Sequence, residues 1–279
     1  MLKITCGLLL LITLAACSTE KDYLVTIETK YGNMYAILYD ETPKHKENFV
    51  KLAQDGRYDS TEFHRIIENF MVQGGDVFSK ENLPQEEWYT LPAEFNKNRI
   101  HEKGSIAAAR QGENINPERR SSGCQFYIVQ GQVYEKDALL TDIRKLQEAF
   151  GKFVQLDRNK DLREKYMDLY ERKEFDSING LMLSKKDELE SFFNLDLSSN
   201  KRANQIEAYT TVGGTPHLDD TYTVFGKVIE GLDVMEKIAA EETDPMDKPK
   251  SPVYMKVAVE LINKKEITHQ YGYQYPEKQ

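Results

Sequence analysis

The apolar residues of this chain follow two different periods, and the change between them constrains the fold more than any other feature. Up to about residue 132, and again from about 205, they come in short alternating runs. Segments 23–29, 34–39, 62–67, 70–73, 105–109, 125–130, 222–229 and 252–262 each read as a strand. Residues 30–33 read as the turn of a hairpin joining the first two. Thr42 is a suitable helix N-cap and Pro43 a suitable first helical residue, with Phe49, Val50 and Ala53 on one face and Gly56 placed to end the helix. A second helix is expected over 231–240. Many short strands with two helices far apart point to a mainly β fold, a closed antiparallel architecture and not a series of βαβ units.

Between 133 and 204 the period becomes helical. Leu139, Ile143, Leu146, Phe150 and Phe153 recur at spacings of four, three, four and three, and Leu162, Tyr166 and Leu169 repeat the pattern. Leu189, Phe192 and Phe193 suggest a third short helix. Stripes of two to three turns persist only when packed, so 133–204 is expected to be a helical insertion into one β domain spanning 23–263, followed by a C-terminal tail over 264–279. Gly213-Gly214-Thr215-Pro216 reads as the exit from the insertion.

The N-terminus reads as an export signal. Lys3 precedes an apolar run to Leu14 that is shorter than the roughly 20 residues needed to cross a bilayer. The run ends in Leu14-Ala15-Ala16-Cys17, which resembles the lipobox of bacterial lipoproteins. That resemblance implies removal of residues 1–16 and acylation of Cys17, with 17–22 as a polar tether and the protein held on a membrane of the bacterial cell envelope. Ser18 resembles an outer-membrane sorting position. Cys6 would leave with the signal and Cys17 would be lipidated, so Cys124 has no intramolecular partner and reads as a small core residue. A net charge of −9 points away from nucleic acid as a partner.

The stretch 63–76, Phe-His-Arg-Ile-Ile-Glu-Asn-Phe-Met-Val-Gln-Gly-Gly-Asp, carries the chemistry. Together with Gly104-Ser105-Ile106-Ala107, Gln125-Phe126-Tyr127-Ile128 and Val224-Phe225-Gly226-Lys227-Val228, in that order, it resembles the cyclophilin family of peptidyl-prolyl cis–trans isomerases. The likeness runs over about 22–132 and 205–263. It implies a closed antiparallel β-barrel capped by two helices, proline-containing polypeptides as partners and no cofactor.

The chemistry such a site needs is limited. Rotation about an X-Pro bond faces a barrier of roughly 18–20 kcal/mol, set by sharing of the amide lone pair. No bond breaks, so the requirement is to bind the twisted amide better than either planar form. A fixed donor near the prolyl nitrogen and a grip on the ring suffice. By the resemblance Arg65 is that donor, and Gln73 orients it. Phe70, Met71, Tyr127 and Leu218 line the proline pocket, with Gln125 a second site glutamine. Ala107 and Ala108 leave the groove open for residues before the proline. His217 and Tyr222 form the far wall. Tyr127 stands where the family usually has Phe, and its hydroxyl needs a partner. His217 stands where many members have the Trp that helps bind cyclosporin. His64, next to Arg65, is expected to be packed or hydrogen-bonded, and His45 and His101 stand alone in the sequence. Gly74-Gly75 lacks the downstream residues and helix start of a phosphate loop. The insertion emerges between the strand bearing Tyr127 and the segment bearing Leu218. It is expected to narrow or extend the substrate groove, and composition leaves open whether it docks a protein partner or only caps and stabilises the barrel.

Overall fold

In the computed structural model of the protein, residues 20–276 are described. The expected signal segment and Cys17 lie outside them. In chain order the strands are β1 (Lys21–Thr29), β2 (Gly32–Leu38), β3 (Thr61–Ile67), β4 (Met71–Gly74), β5 (Thr90–Leu91), β6 (Ser105–Ala108), β7 (Ser121–Ser122), β8 (Phe126–Val129), β9 (Val224–Glu230) and β10 (Tyr254–Asn263). Eight of them close a barrel in the order β1-β10-β3-β4-β8-β6-β9-β2, while β5 and β7 form a small separate sheet. The barrel ladders are antiparallel throughout.

Two helices flank the barrel: α1 (Pro43–Gln54) and α9 (Leu232–Ala239). Alternate residues of all eight barrel strands, among them Ile27, Phe63, Val72, Ile106, Phe126, Val228 and Val257, share one core with Phe49 and Leu52 of α1 and Met235 and Ile238 of α9. Burial of this kind contributes about 25 cal/mol per Å² of apolar surface, which is why strand alternation and helix stripe must point to the same place. Cys124 belongs to this core as an unpaired thiol. Thr42 precedes α1 as expected, but its hydroxyl donates to the Tyr39 carbonyl and caps no helical N–H. A short helix α2 (Val77–Lys80), capped by Asp76, does start after Gly75, where none was expected.

Three boundaries differ from the sequence expectation. The proposed tether ends earlier than residue 22, because Lys21 and Asp22 already pair with Asn263 and Ile262 in the β1–β10 ladder. The 264–279 tail contains a docked helix, α10 (Lys264–Tyr271), whose Ile267 is fully buried against Leu24, Ile37 and Tyr39. The insertion runs on past 204. It comprises α3 (Lys136–Leu139), α4 (Ile143–Val154), α5 (Lys160–Glu171), α6 (Phe175–Leu183), α7 (Lys186–Phe193) and α8 (Ala203–Thr211).

Helices α4 to α7 build a core of their own around Leu146, Phe150, Phe153, Leu169, Ile178 and Leu189. Helices α3 and α8 belong instead to a small cluster in which Leu139 and Tyr209 meet Ile100 of the barrel domain. The chain leaves and re-enters the barrel side by side, with Gln132 bridged to Gly214 and Gly214 to Glu102. Backbones touch there: a Cβ on Gly214 would stand 2.2 Å from the His101 carbonyl, and φ at Gly214 is +153°. Only glycine fits such an approach.

Candidate active site

Arg65 sits on β3 directly across the ladder from Gln73 on β4. The β3–β4 hairpin turns at Asn69, which takes a left-handed φ of 62° and is pinned by its N–H to the Gln130 side chain at 2.5 Å. This turn aims Phe70 and Met71 toward the same side as Tyr127 on β8 and Ala107 on β6. The strand period of two therefore splits the expected residues. Ala107 joins the cluster of Met71 and Tyr127, while Ala108 points to the opposite, inner core with Phe126 and Ile128.

A groove of about 560 Å³ lies over this surface. It is lined by Arg65, Phe70, Met71, Gln73, Gln125, Tyr127, Leu218 and Tyr222, which the sequence had grouped as one site. Ala107, Ala108 and His217 do not line it. Both alanines are buried, and Ala109 and Arg110 take their place at the groove wall. His217 is solvent-exposed and supports the site from outside, stacked on the Phe70 ring at 5.4 Å between centroids and 24° between planes.

Gln73 does not hold Arg65. Its side-chain amide donates to Gln125 Oε1 at 3.0 Å and stands 3.4 Å from His64 Nε2. Arg65 is held by Asp247, whose Oδ2 accepts from Nε at 3.2 Å. Asp247 lies in the loop before β10, and its carbonyl also accepts from the N–H of Ile66, so the loop is fixed on β3 at two points. No local signal marks Asp247, because 182 residues separate the pair. With Nε occupied, the two terminal guanidinium nitrogens remain for a substrate amide. A guanidinium stays charged throughout the ordinary pH range.

The Tyr127 hydroxyl has a partner, His101 Nε2, at 3.0 Å. His101 therefore does not stand alone, and its ring is nearly parallel to that of Tyr127. Tyr222 meets both rings edge-on, under the guanidinium of Arg110 at 4.2 Å from its centroid. Burial pushes the Tyr127 phenol well above its ordinary pKa, so the ring is a neutral wall.

His45 is also engaged, with Nδ1 at 2.7 Å from Glu94 and Nε2 at 2.9 Å from Ser121 Oγ. The trio has the outline of a nucleophilic triad. Both the serine and the histidine are buried, so no substrate carbonyl reaches the hydroxyl, and the trio instead ties α1 to the small β5–β7 sheet.

The groove continues beyond the expected site. Phe78, Gln85, Trp88, Tyr89, Ile115, Asn116 and Arg120 line its far half. Phe78 comes from α2, and the others from segments 81–92 and 109–122, whose aromatic and basic residues show no strand or helix period that would have linked them to the site. No residue of the 133–204 insertion lines the groove, so the insertion neither narrows nor extends it directly.

A sequence profile described as "Cyclophilin type peptidyl-prolyl cis-trans isomerase/CLD" matches residues 24–165 and 182–260. The chain belongs to this family. It is a cyclophilin-type isomerase, and the matched residues take in most of every barrel strand, both flanking helices and α3, α4, α7 and α8 of the insertion.

A Staphylococcus saprophyticus protein named "Putative peptidyl-prolyl cis-trans isomerase" is 30% identical over 227 residues, covering 80% of this chain and 84% of its own. A Streptococcus pyogenes protein named "Putative bifunctional phosphatase/peptidyl-prolyl cis-trans isomerase" is 30% identical over 82% of this chain, but the match spans only 37% of that protein. A solved Cryptosporidium parvum cyclophilin-type isomerase is 17% identical, covers 86% of this chain and 98% of its own, and superposes with a TM-score of 0.48.

Proposed function

We propose that this cyclophilin catalyses cis–trans exchange at X-Pro bonds of exported polypeptides, held on a bacterial envelope membrane through an acyl group on Cys17. The single observation that carries the site assignment is the pose of Arg65. Asp247 occupies its Nε, and the guanidinium borders the same groove as Phe70, Met71 and Tyr127. The apolar wall grips the proline ring, and a terminal nitrogen of Arg65 donates to the prolyl nitrogen as the amide twists. Because the donor is fixed before the substrate arrives, it stabilises the twisted form without reorganising.

A pocket that bound proline without turnover would suit a site whose wall had lost its shape. Tyr127 offers no support for that alternative, because His101 takes up its hydroxyl and keeps the ring in the wall. The lipobox-like Leu14-Ala15-Ala16-Cys17 supports the export and anchoring part of the proposal.

Exchange NMR on a short X-Pro peptide tests the catalytic part. Wild-type protein should accelerate exchange, and Arg65→Ala should lower kcat/KM on the order of a hundredfold or more, as expected for a lost preorganised donor. No acceleration by wild type over buffer would sink the reading. Anchoring is tested by cell fractionation: wild type should sediment with membranes and Cys17→Ser should not. Equal distribution of the two would remove the anchor.

A further inference from the structure

One buried chain of hydrogen bonds joins the groove to the insertion. The Tyr127 hydroxyl meets His101 Nε2 at 3.0 Å. Both the ring Nδ1 and the backbone N–H of His101 reach Asp219 Oδ1, at 2.9 and 2.8 Å. The other carboxylate oxygen accepts from the Tyr209 hydroxyl and the Gln205 amide, each at 2.6 Å. Tyr127, His101, Gln205 and Tyr209 are buried, and the Asp219 side chain is 3% exposed.

Gln205 and Tyr209 stand one turn apart on α8, so a single face of one inserted helix holds the carboxylate. Arg202, at the start of the same helix, pairs with Asp220 at 2.8 Å and fixes the neighbouring residue too. An ionised carboxylate only accepts, so the His101 proton toward Asp219 sits on Nδ1. In the neutral ring Nε2 is then an acceptor, and the Tyr127 hydroxyl donates to it. Burial by itself would raise the Asp219 carboxyl, but the bonds from His101 and Tyr209 outweigh it and hold the group below the usual carboxylate range. Every member of the chain thus has its partners, the condition under which a buried polar network fixes geometry.

We propose that the insertion sets the pose of the Tyr127 ring: Tyr209 and Gln205 are positioning residues that act through Asp219 and His101 on the wall of the proline pocket. This rests on the proline-pocket reading of the groove. It assigns α8 a part in the reaction without any contact to substrate. A phenylalanine at 127 would be held by packing alone, whereas the tyrosine is held by a bond whose far end lies in the insertion.

A double-mutant cycle on the full chain tests it, with kcat/KM for an Ala-Pro peptide measured by exchange NMR. Tyr209→Phe keeps the ring and removes only the hydroxyl. It should lower kcat/KM by about three- to tenfold, the size of one hydrogen bond's effect on a barrier. With Tyr127→Phe already in place the chain is cut, and adding Tyr209→Phe should change kcat/KM by less than about twofold, the scatter of uncoupled sites. A merely structural Tyr209 would lower Tm equally in both backgrounds and show no such dependence.

The proposal is overturned if folded Tyr209→Phe protein has wild-type kcat/KM, or if its loss is the same with Tyr127 or Phe at position 127. Should Tyr209→Phe fail to fold, Gln205→Leu takes its place in the same cycle. If wild type accelerates exchange, Arg65→Ala abolishes it and the cycle is additive, this proposal alone fails. If wild type does not accelerate exchange, the pocket reading fails first and the coupling with it.

Discussion

Asp247 Oδ2 accepts the Nε hydrogen of Arg65 at 3.2 Å, across 182 residues of sequence. The two side chains are 45% and 40% exposed, so the pair adds little to stability, in the range of about 0–1 kcal/mol. What the bond fixes is the direction of the guanidinium. Asp247 has a left-handed φ of 65°, which asparagine also tolerates. Asp247→Asn should therefore keep Tm unchanged while lowering kcat/KM about two- to fivefold, far less than Arg65→Ala. Exchange NMR and thermal melts on the same samples decide it, and a loss as large as that of Arg65→Ala would count against the orienting role.

The outer four helices of the insertion should be removable. All residues of their shared core lie between 143 and 197, and Thr141 and Ser198 form an antiparallel bridge at the neck. Replacing residues 142–197 by Asn-Gly, a two-residue turn suited to such a neck, should leave α3 and α8 in place. Activity on a short peptide should stay within about twofold of wild type, as for distant, uncoupled sites. Loss of the folded barrel, seen by circular dichroism or a changed melt, would show that the core is not independent.

The last helix should matter to stability and not to chemistry. Ile267 is fully buried against Leu24, Ile37 and Tyr39. A side chain of this type contributes about 1.5–3 kcal/mol by burial, so truncation after Asn263 should lower Tm by at least about 3–6 °C. Differential scanning calorimetry measures this directly. An unchanged melt would mean that α10 is not docked in solution.

Acidification should weaken the fold before it affects the donor. Burial holds the His45 and His64 rings below the ordinary histidine value of 6.5. Below that value the unfolded chain takes up protons that the folded chain refuses, so the stability is fully present above about pH 6.5 and is lost as pH falls through the folded values. Each such ring limits the slope to about 1.4 kcal/mol per pH unit. Tm should be flat from pH 9 to 7 and decline toward pH 5, with a smaller decline in His45→Gln. Over pH 7–9 the isomerisation rate should be flat, since a guanidinium is charged throughout that range. Melts and rates across a buffer series check both, and a Tm that rises on acidification would contradict the assignment.

Much of the β fold was legible in the sequence because strand and helix periods are local. The alternations at 23–29, 34–39, 62–67, 70–73, 125–130 and 252–262 each fell within a residue or two of a barrel strand. The motif 63–76 placed Arg65, Phe70, Met71 and Gln73 beside Gln125 and Tyr127, and the groove brings those six together. Alternation also explains why Ala108, expected beside Ala107, faces the inner core: it follows Ala107 by one residue and so points the other way. Helices α6 and α8 lack the clean stripes of α4 and were missed, and the insertion's end was set too early for that reason.

Composition and period by themselves determined a closed β architecture with a helical insertion, and the motifs determined the family and pointed to Arg65. Only the tertiary structure decided what holds Arg65 and what holds Tyr127. Asp247 reaches Arg65, and Asp219 reaches His101 across 118 residues, through loops that carry no period. A hydrogen bond between two polar side chains depends on where barrel closure brings their backbones, and neither residue's neighbours in sequence record that position.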